Sequence, residues 1–344
     1  MSKRPAATYA VARHLTQALA QRNGAETRLA LVVPPNTEAD DIGFAAQTVG
    51  CLTDNLWEQL SLPRAARGRL LLSLASRSPL FVRNAITMVH DAQVFTAPTS
   101  YSRAFRMTLK ANIRLAGRLQ RGLLTVSEFS KSELVGLGIA PAARIHVIHN
   151  GVDHILRVTP EDDVLDRLGV LSRGFALGLA NTQPHKNIGV LLRAFARPEM
   201  ADLTLVLTGK TMAANFTALG IPVPPNVIFA GYVTDGEMRS LQAHALAVCT
   251  PSLTEGFGMP PVEGMLLGTP AVIAPCGALP EVCSPDTLQA DPHDPTAWSH
   301  ALLRLKVEPD LWNNLSDTGR AFAMRFTWDA AAAKLEGILA EIIK

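Results

Sequence analysis

Cysteine is scarce: four occur in 344 residues (Cys51, Cys249, Cys276 and Cys283), and no two form a Cys-x-x-Cys pair or a metal-ligand spacing. That argues against a disulfide framework or a zinc site, and for reduced, mostly buried thiols. The opening Met1-Ser2-Lys3-Arg4-Pro5 carries no apolar signal core, and no apolar stretch approaches the roughly 20 residues that a spanning helix needs. A cytoplasmic protein is expected. Charge imbalance is also missing: the formal net charge is +2, so nothing in the bulk composition calls for a nucleic-acid partner. Low-complexity segments and fixed-period repeats are absent.

What is present is ordinary for a soluble globular chain, with 48% hydrophobic and 18% charged residues. The length suggests about two domains. Short apolar runs at 28–33, 86–89, 123–126, 145–148, 175–179, 203–208, 227–230, 246–249 and 271–274 read as buried strands. Helical stretches lie between them, at 11–21, 104–120, 131–137, 190–196 and 235–244. This alternation predicts an α/β protein with parallel sheets covered on both faces. The pattern breaks near residues 150–160, at an Asn-Gly pair and a polar, acidic stretch. Two α/β halves of similar length follow: residues 1–155 and 156–325, with a closing helix over 326–344. In such folds ligands sit beyond the carboxyl ends of the strands.

The most informative segment spans residues 246–275. A strand ends near Thr250, Gly256 and Gly258 open a loop, and Pro260-Pro261 suit a helix's first turn. Gly268-Thr269-Pro270 stops that helix before the next strand. The amides around Gly256, Phe257 and Gly258 and the helix start make an anion site suited to a diphosphate. Glu255 precedes the helix and Glu263 lies about one turn inside it. One carboxylate is then available for sugar hydroxyls and the other for ribose hydroxyls.

Glu255, seven intervening residues and Glu263, enclosing Gly256-Phe257-Gly258 and followed by Gly268-Thr269-Pro270, resemble the signature of the family-four retaining glycosyltransferases. The resemblance implies the GT-B fold, two Rossmann-like domains facing a central cleft. It also implies that Glu255 and the following amides contact the donor sugar, and that Glu263 contacts the ribose. Asn181-Thr182-Gln183-Pro184-His185-Lys186-Asn187 resembles the stretch that supplies a basic pair to the donor diphosphate, with Lys186 as the lysine. Many members carry arginine where this chain has Asn181, so His185 is a partial substitute. Gly209, after the run 203–208, and Tyr232, after 227–230, match positions near the nucleotide, although a plain turn explains each as well. His90, delivered by the run 86–89, is implied to lie near the donor sugar and acceptor. Thr125 to Lys131 resembles the family's helix start, with Ser127 or Ser130 as N-cap. Asn150-Gly151-Val152-Asp153 resembles the turn into the second domain, and Phe326-Thr327-Trp328-Asp329 begins a helix that braces the first.

Family members usually begin with a hydrophobic strand and a glycine-containing loop. This chain starts almost at the loop, so its first strand is expected to be missing, through a late start site or a reduced first domain. The implied reaction moves a sugar from a nucleoside diphosphate to an acceptor hydroxyl with retention. No Asp-x-Asp motif occurs, and no metal or other cofactor is expected if Lys186, His185 and the loop amides neutralise the diphosphate. The form of the phosphate segment resembles the mannosyltransferase branch, which implies GDP-mannose, with a UDP-sugar as the alternative. A glycan or polyprenyl-diphosphate-linked acceptor in polysaccharide synthesis is implied; the rival is a truncated donor-binding homologue without activity. Between residues 103 and 121 stand six basic residues and no acidic ones, four of them (Arg106, Lys110, Arg114, Arg118) spaced by four. With the cluster Arg64, Arg67 and Arg69, that face suits peripheral contact with an anionic membrane surface or, equally, plain solvation.

Overall fold

The structure, a computed structural model, describes residues 7–22, 29–35 and 46–343. The chain forms two compact units, Met1–Gly151 with Phe326–Lys344, and Val152–Arg325. The expected absence of a leading strand falls on residues 1–6, outside the described residues. The helix expected from residue 11 begins earlier and runs over Ala7–Arg22.

In the first unit, β1 (Leu31–Val33) and β2 (Ala46–Thr48) form a parallel pair. A separate four-stranded parallel sheet has the order β3 (Leu71–Ser73), β4 (Ala85–Met88), β5 (Gly122–Thr125), β6 (Ile145–Val147). Every residue of β4 and β5 is buried, which is why these strands read as unbroken apolar runs. The helix Arg103–Leu119 is capped by Ser102, whose hydroxyl accepts the Phe105 amide at 3.4 Å, and buries Leu109, Ile113 and Ala116 against Leu123 and Ile145. The next helix, Glu128–Gly136, starts three residues before its apolar pattern does. Ser127 sets that start by accepting the Ser130 amide at 3.0 Å.

The closing helix Trp328–Ile343 packs on Ala7–Arg22 within this unit. Arg22 reaches Asp329 at 2.7 Å and Glu336 at 3.0 Å, while His14 stacks on Trp328 with centroids 5.4 Å apart. The chain also passes close to the helix start at Gly151.

The second unit holds β7 (Phe175–Leu179), β8 (Thr204–Thr208), β9 (Val227–Gly231), β10 (Ala247–Thr250), β11 (Ala271–Ile273) and β12 (Leu288–Gln289). They form one parallel sheet in the order β12-β11-β10-β7-β8-β9. Strand order reverses between β7 and β10, so their following loops diverge and leave a crevice at the carboxyl edge. Helices Ile188–Phe195 and Pro295–Val307 cover one face, burying Leu191, Leu192, Phe195, Trp298 and Leu302. Asp235–His244, opened by a Thr234–Glu237 capping box, helps to cover the other.

A β-carbon added at Gly151 would lie 2.3 Å from the Trp328 amide nitrogen. Gly151→Ala is therefore expected to cost about 1–3 kcal/mol of stability through overpacking. A urea midpoint unchanged from the parent would show that this approach is not a constraint.

Candidate functional site

The two loops that diverge at the reversal carry opposite charges. Lys186, in the short turn Pro184–Lys186 after β7, places Nζ 2.8 Å from Oε1 of Glu255, in the loop after β10. Ser252 donates to the same oxygen at 2.7 Å. These side chains are only 25% and 14% exposed, so the pair is partly desolvated and its hydrogen bond is charge-assisted. The loops are also joined by backbone, since the Leu253 amide donates to the His185 carbonyl at 2.8 Å. His185 is buried; desolvation, then the charge of Lys186, push its imidazole below the usual range against the opposing pull of Glu255. It is a neutral neighbour of the pair rather than a second cation.

Asn187 fastens this corner. Its backbone is left-handed (φ 53°), and its amide nitrogen donates to the Pro251 carbonyl at 3.1 Å and the Pro292 carbonyl at 2.7 Å. One side chain thus ties the loops after β7, β10 and β12. Asn181 instead folds onto its own loop, accepting the Gln183 amide at 2.8 Å. Glu255 is held from behind by Gly277, where a β-carbon would stand 2.4 Å from the Glu255 nitrogen, and its carbonyl accepts the Ala278 amide at 3.0 Å.

Past Glu255, Phe257 is buried, and Gly258 (φ 94°) precedes the helix Met259–Leu266. Pro260 and Pro261 have no N–H, so amides able to face an anion belong to residues 256–259 rather than to the rest of the first turn. Glu263 lies one turn further on; Gln242 donates to its Oε2 at 2.9 Å, and His154 Nε2 stands 3.5 Å from its Oε1. Gly209 (φ 135°) follows β8, where a β-carbon would meet the Ala180 carbonyl oxygen at 3.0 Å; its amide donates to the Gly231 carbonyl at 2.8 Å. That close approach accounts for the glycine without a ligand. Tyr232 is exposed after β9, two strands from the reversal.

His90 lies in the first unit, just past β4. Its Nε2 is 2.9 Å from the Leu74 carbonyl, which can only accept, so Nε2 carries the proton. Burial lowers its pKa more than that bond raises it. The ring is therefore neutral, with Nδ1 an acceptor. In the same unit, Lys110 and Arg114 both lie over the Phe95 ring at 5.1 Å. Desolvation, then the charges of Arg106 and Arg114, lower the Lys110 pKa, as expected of crowded cations. Phe105 and Met107 are exposed on the same helix. No helix of the described residues is long and apolar enough to cross a membrane.

Sequence reasoning brought Lys186, Glu255 and Glu263 to this end of the second unit but missed Asn187, Ser252, Gln242, His154 and Gly277 as their supports. The Asn-after-Lys dipeptide was the one local signal, because asparagine tolerates left-handed backbone.

A family model described as "Glycosyl transferases group 1" matches residues 174–306. The chain is similar to O-antigen chain mannosyltransferase B of Escherichia coli, 30% identical over 267 residues that span 73% of this chain and 68% of that protein. It is also similar to the MMP alpha-(1->4)-mannosyltransferase of Mycolicibacterium hassiacum, 34% identical over 229 residues, 64% of this chain and 54% of the relative. In fold it matches HepE of Anabaena, solved in complex with UDP and glucose, with a TM-score of 0.74 at 18% identity over 99% of this chain and 98% of the other.

The role of Asn187 separates into two parts. Asn187→Gly keeps the left-handed backbone and removes two hydrogen bonds, an expected loss of about 1–3 kcal/mol. Asn187→Ala adds about 1 kcal/mol or more for the backbone conformation. Equal urea midpoints for the two variants would show that the conformation carries no cost here.

Proposed function

Because the chain belongs to the group 1, family-four glycosyltransferases, a hexosyltransferase family of GT-B fold, we propose that it moves mannose from GDP-mannose to a glycan or polyprenyl-diphosphate-linked acceptor, with retention at the anomeric carbon. The observation that carries the reading is the Lys186–Glu255 pair across the strand-order reversal. In this reading the lysine supplies a cation to the leaving diphosphate and the glutamate a carboxylate to the sugar hydroxyls.

In this reaction the bond from the anomeric carbon to the diphosphate oxygen breaks, and the acceptor oxygen bonds to that carbon on the same face. The acceptor proton passes to the departing phosphate. Lys186 and the amides of residues 256–259 stabilise the charge that collects on the leaving group, which is where preorganised electrostatics lowers a barrier most. Glu255 holds the donor sugar and Glu263 the ribose, so the rest of the rate enhancement is positioning. Neutral His90 offers Nδ1 to a hydroxyl rather than a counter-charge to phosphate. His185 stands beside Lys186 as a neutral group and adds no charge. No metal or organic cofactor is called for in this scheme.

The mannosyltransferase relatives favour mannose, whereas the UDP in the HepE structure favours a uridine nucleotide as the second reading. Gly209 and Tyr232 border the base in either case. The proposed place of action is the cytoplasm, peripherally at the inner membrane face, with Arg106, Lys110 and Arg114 against anionic lipid.

Two measurements test the proposal. In metal-free calorimetry with GDP, UDP, ADP and their sugar conjugates, one nucleotide is expected to bind selectively, and to bind Glu263→Ala about tenfold or more weakly than the parent. At 100 times its dissociation constant it adds about 2.7 kcal/mol of stability. Binding of none defeats the donor site; binding without transfer to any acceptor leaves a donor-binding homologue. Separately, sedimentation with phosphatidylglycerol vesicles should weaken as salt rises and fall at least about tenfold in the triple charge reversal at 106, 110 and 114, at about 1 kcal/mol per basic residue. Salt-insensitive binding, or none, removes the membrane contact.

A further inference from the structure

The Glu263 carboxylate is gripped from two other elements of its unit. Gln242, on the helix Asp235–His244, directs Nε2 to Glu263 Oε2 at 2.9 Å and to the Pro260 carbonyl at 3.4 Å. His154, in the turn Asp153–Arg157, sets Nε2 3.5 Å from Glu263 Oε1. Gln242 is 1% exposed, and its Oε1 has no hydrogen-bond partner among the described residues. A buried amide with an unpaired carbonyl is stable only if its nitrogen is held strongly, and a reversed amide would turn that carbonyl onto a carboxylate. The charge-assisted bond to Glu263 is what holds it. Around His154, desolvation lowers the imidazole pKa, Asp153 and Asp235 raise it, and Arg157 lowers it again. The downward shift leaves a neutral ring, which can orient the carboxylate without cancelling its charge.

We infer that Gln242 and His154 are positioning residues that preset the Glu263 carboxylate for the ribose of the nucleotide, and that this preset makes the site prefer ribose over 2′-deoxyribose. The inference rests on the reading of Glu263 as the ribose contact. A glutamate left to rotate must be ordered by the ligand, and the entropy lost reduces affinity. Pinned beforehand, its oxygens give their full hydrogen-bonding free energy to the hydroxyls. The effect therefore appears only with a ligand that has the hydroxyl.

The test titrates the full chain and Glu263→Ala, Gln242→Leu, Gln242→Met and His154→Gln with GDP and 2′-deoxy-GDP, and with UDP and 2′-deoxy-UDP, by calorimetry. Melting curves check that each variant is folded. The parent should prefer the ribonucleotide by about tenfold or more, the worth of a hydrogen bond to a charged group. Every variant should lose that preference and still bind the deoxynucleotide as the parent does. A preference kept in the Gln242 and His154 variants but lost in Glu263→Ala overturns the positioning role and leaves the ribose reading standing. Equal weakening for both sugars also overturns it, since a purely structural role acts that way. No preference in the parent, its survival in Glu263→Ala, or no nucleotide binding defeats the ribose reading and the inference with it.

Discussion

The ion pair between Lys186 and Glu255 is the contact on which the second unit's functional end depends. It spans the one place in the six-stranded sheet where strand order reverses, the point at which such topologies leave a crevice at the carboxyl edge. Each partner is partly withdrawn from water. Removing either would strand a charge whose desolvation is no longer offset, so both loops are constrained together. The neighbouring contacts follow from that constraint. Ser252 satisfies the same carboxylate oxygen, Asn187 clamps the backbone beneath the lysine, and Gly277 lets a second loop press against the glutamate. His185 completes the corner as a neutral group, because burial beside an ammonium disfavours a second positive charge.

In the proposed reaction this arrangement has a chemical consequence. The lysine that neutralises the leaving diphosphate is held, in the structure, by the carboxylate assigned to the donor sugar. A diphosphate brings more negative charge than one carboxylate, so it competes with Glu255 for the ammonium. Glu263, one helical turn further on, is supported by a different set of contacts, from Gln242 and His154. The two carboxylates of one motif therefore have separate mechanical supports.

Much of the fold was legible because the central strands are buried on both faces. β4, β5, β8, β10 and β11 appear in the sequence as short apolar runs, and neighbouring helices carry their own capping residues. β2, β3 and β12 were not legible. They are two or three residues long and none of them is fully buried; β2 and β12 have too little apolar pattern to register, and the leucines of β3 form a run too short to tell a strand from a helix. The helix Glu128–Gly136 was read three residues late, since its start is set by the Ser127 cap rather than by apolar spacing. In the site, Lys186, Glu255 and Glu263 stood out because their motifs are local. Asn181 bonds within its own turn, where its side-chain oxygen accepts the Gln183 amide.

The sequence by itself determined the chemical inventory of this protein: alternating strands and helices, a lysine loop, a glycine loop between two glutamates, and a helix rich in cations. These follow from side-chain types within a few positions of one another, where propensity, capping and charge act directly. Tertiary structure alone decided which groups meet. Gln242 lies 21 positions from Glu263, and Asn187 lies 105 positions from the Pro292 carbonyl it holds. That lysine meets glutamate at all follows from β10 pairing with β7. Strand order is a long-range choice, made by the burial of the whole sheet under its helices, and no local pattern encodes it.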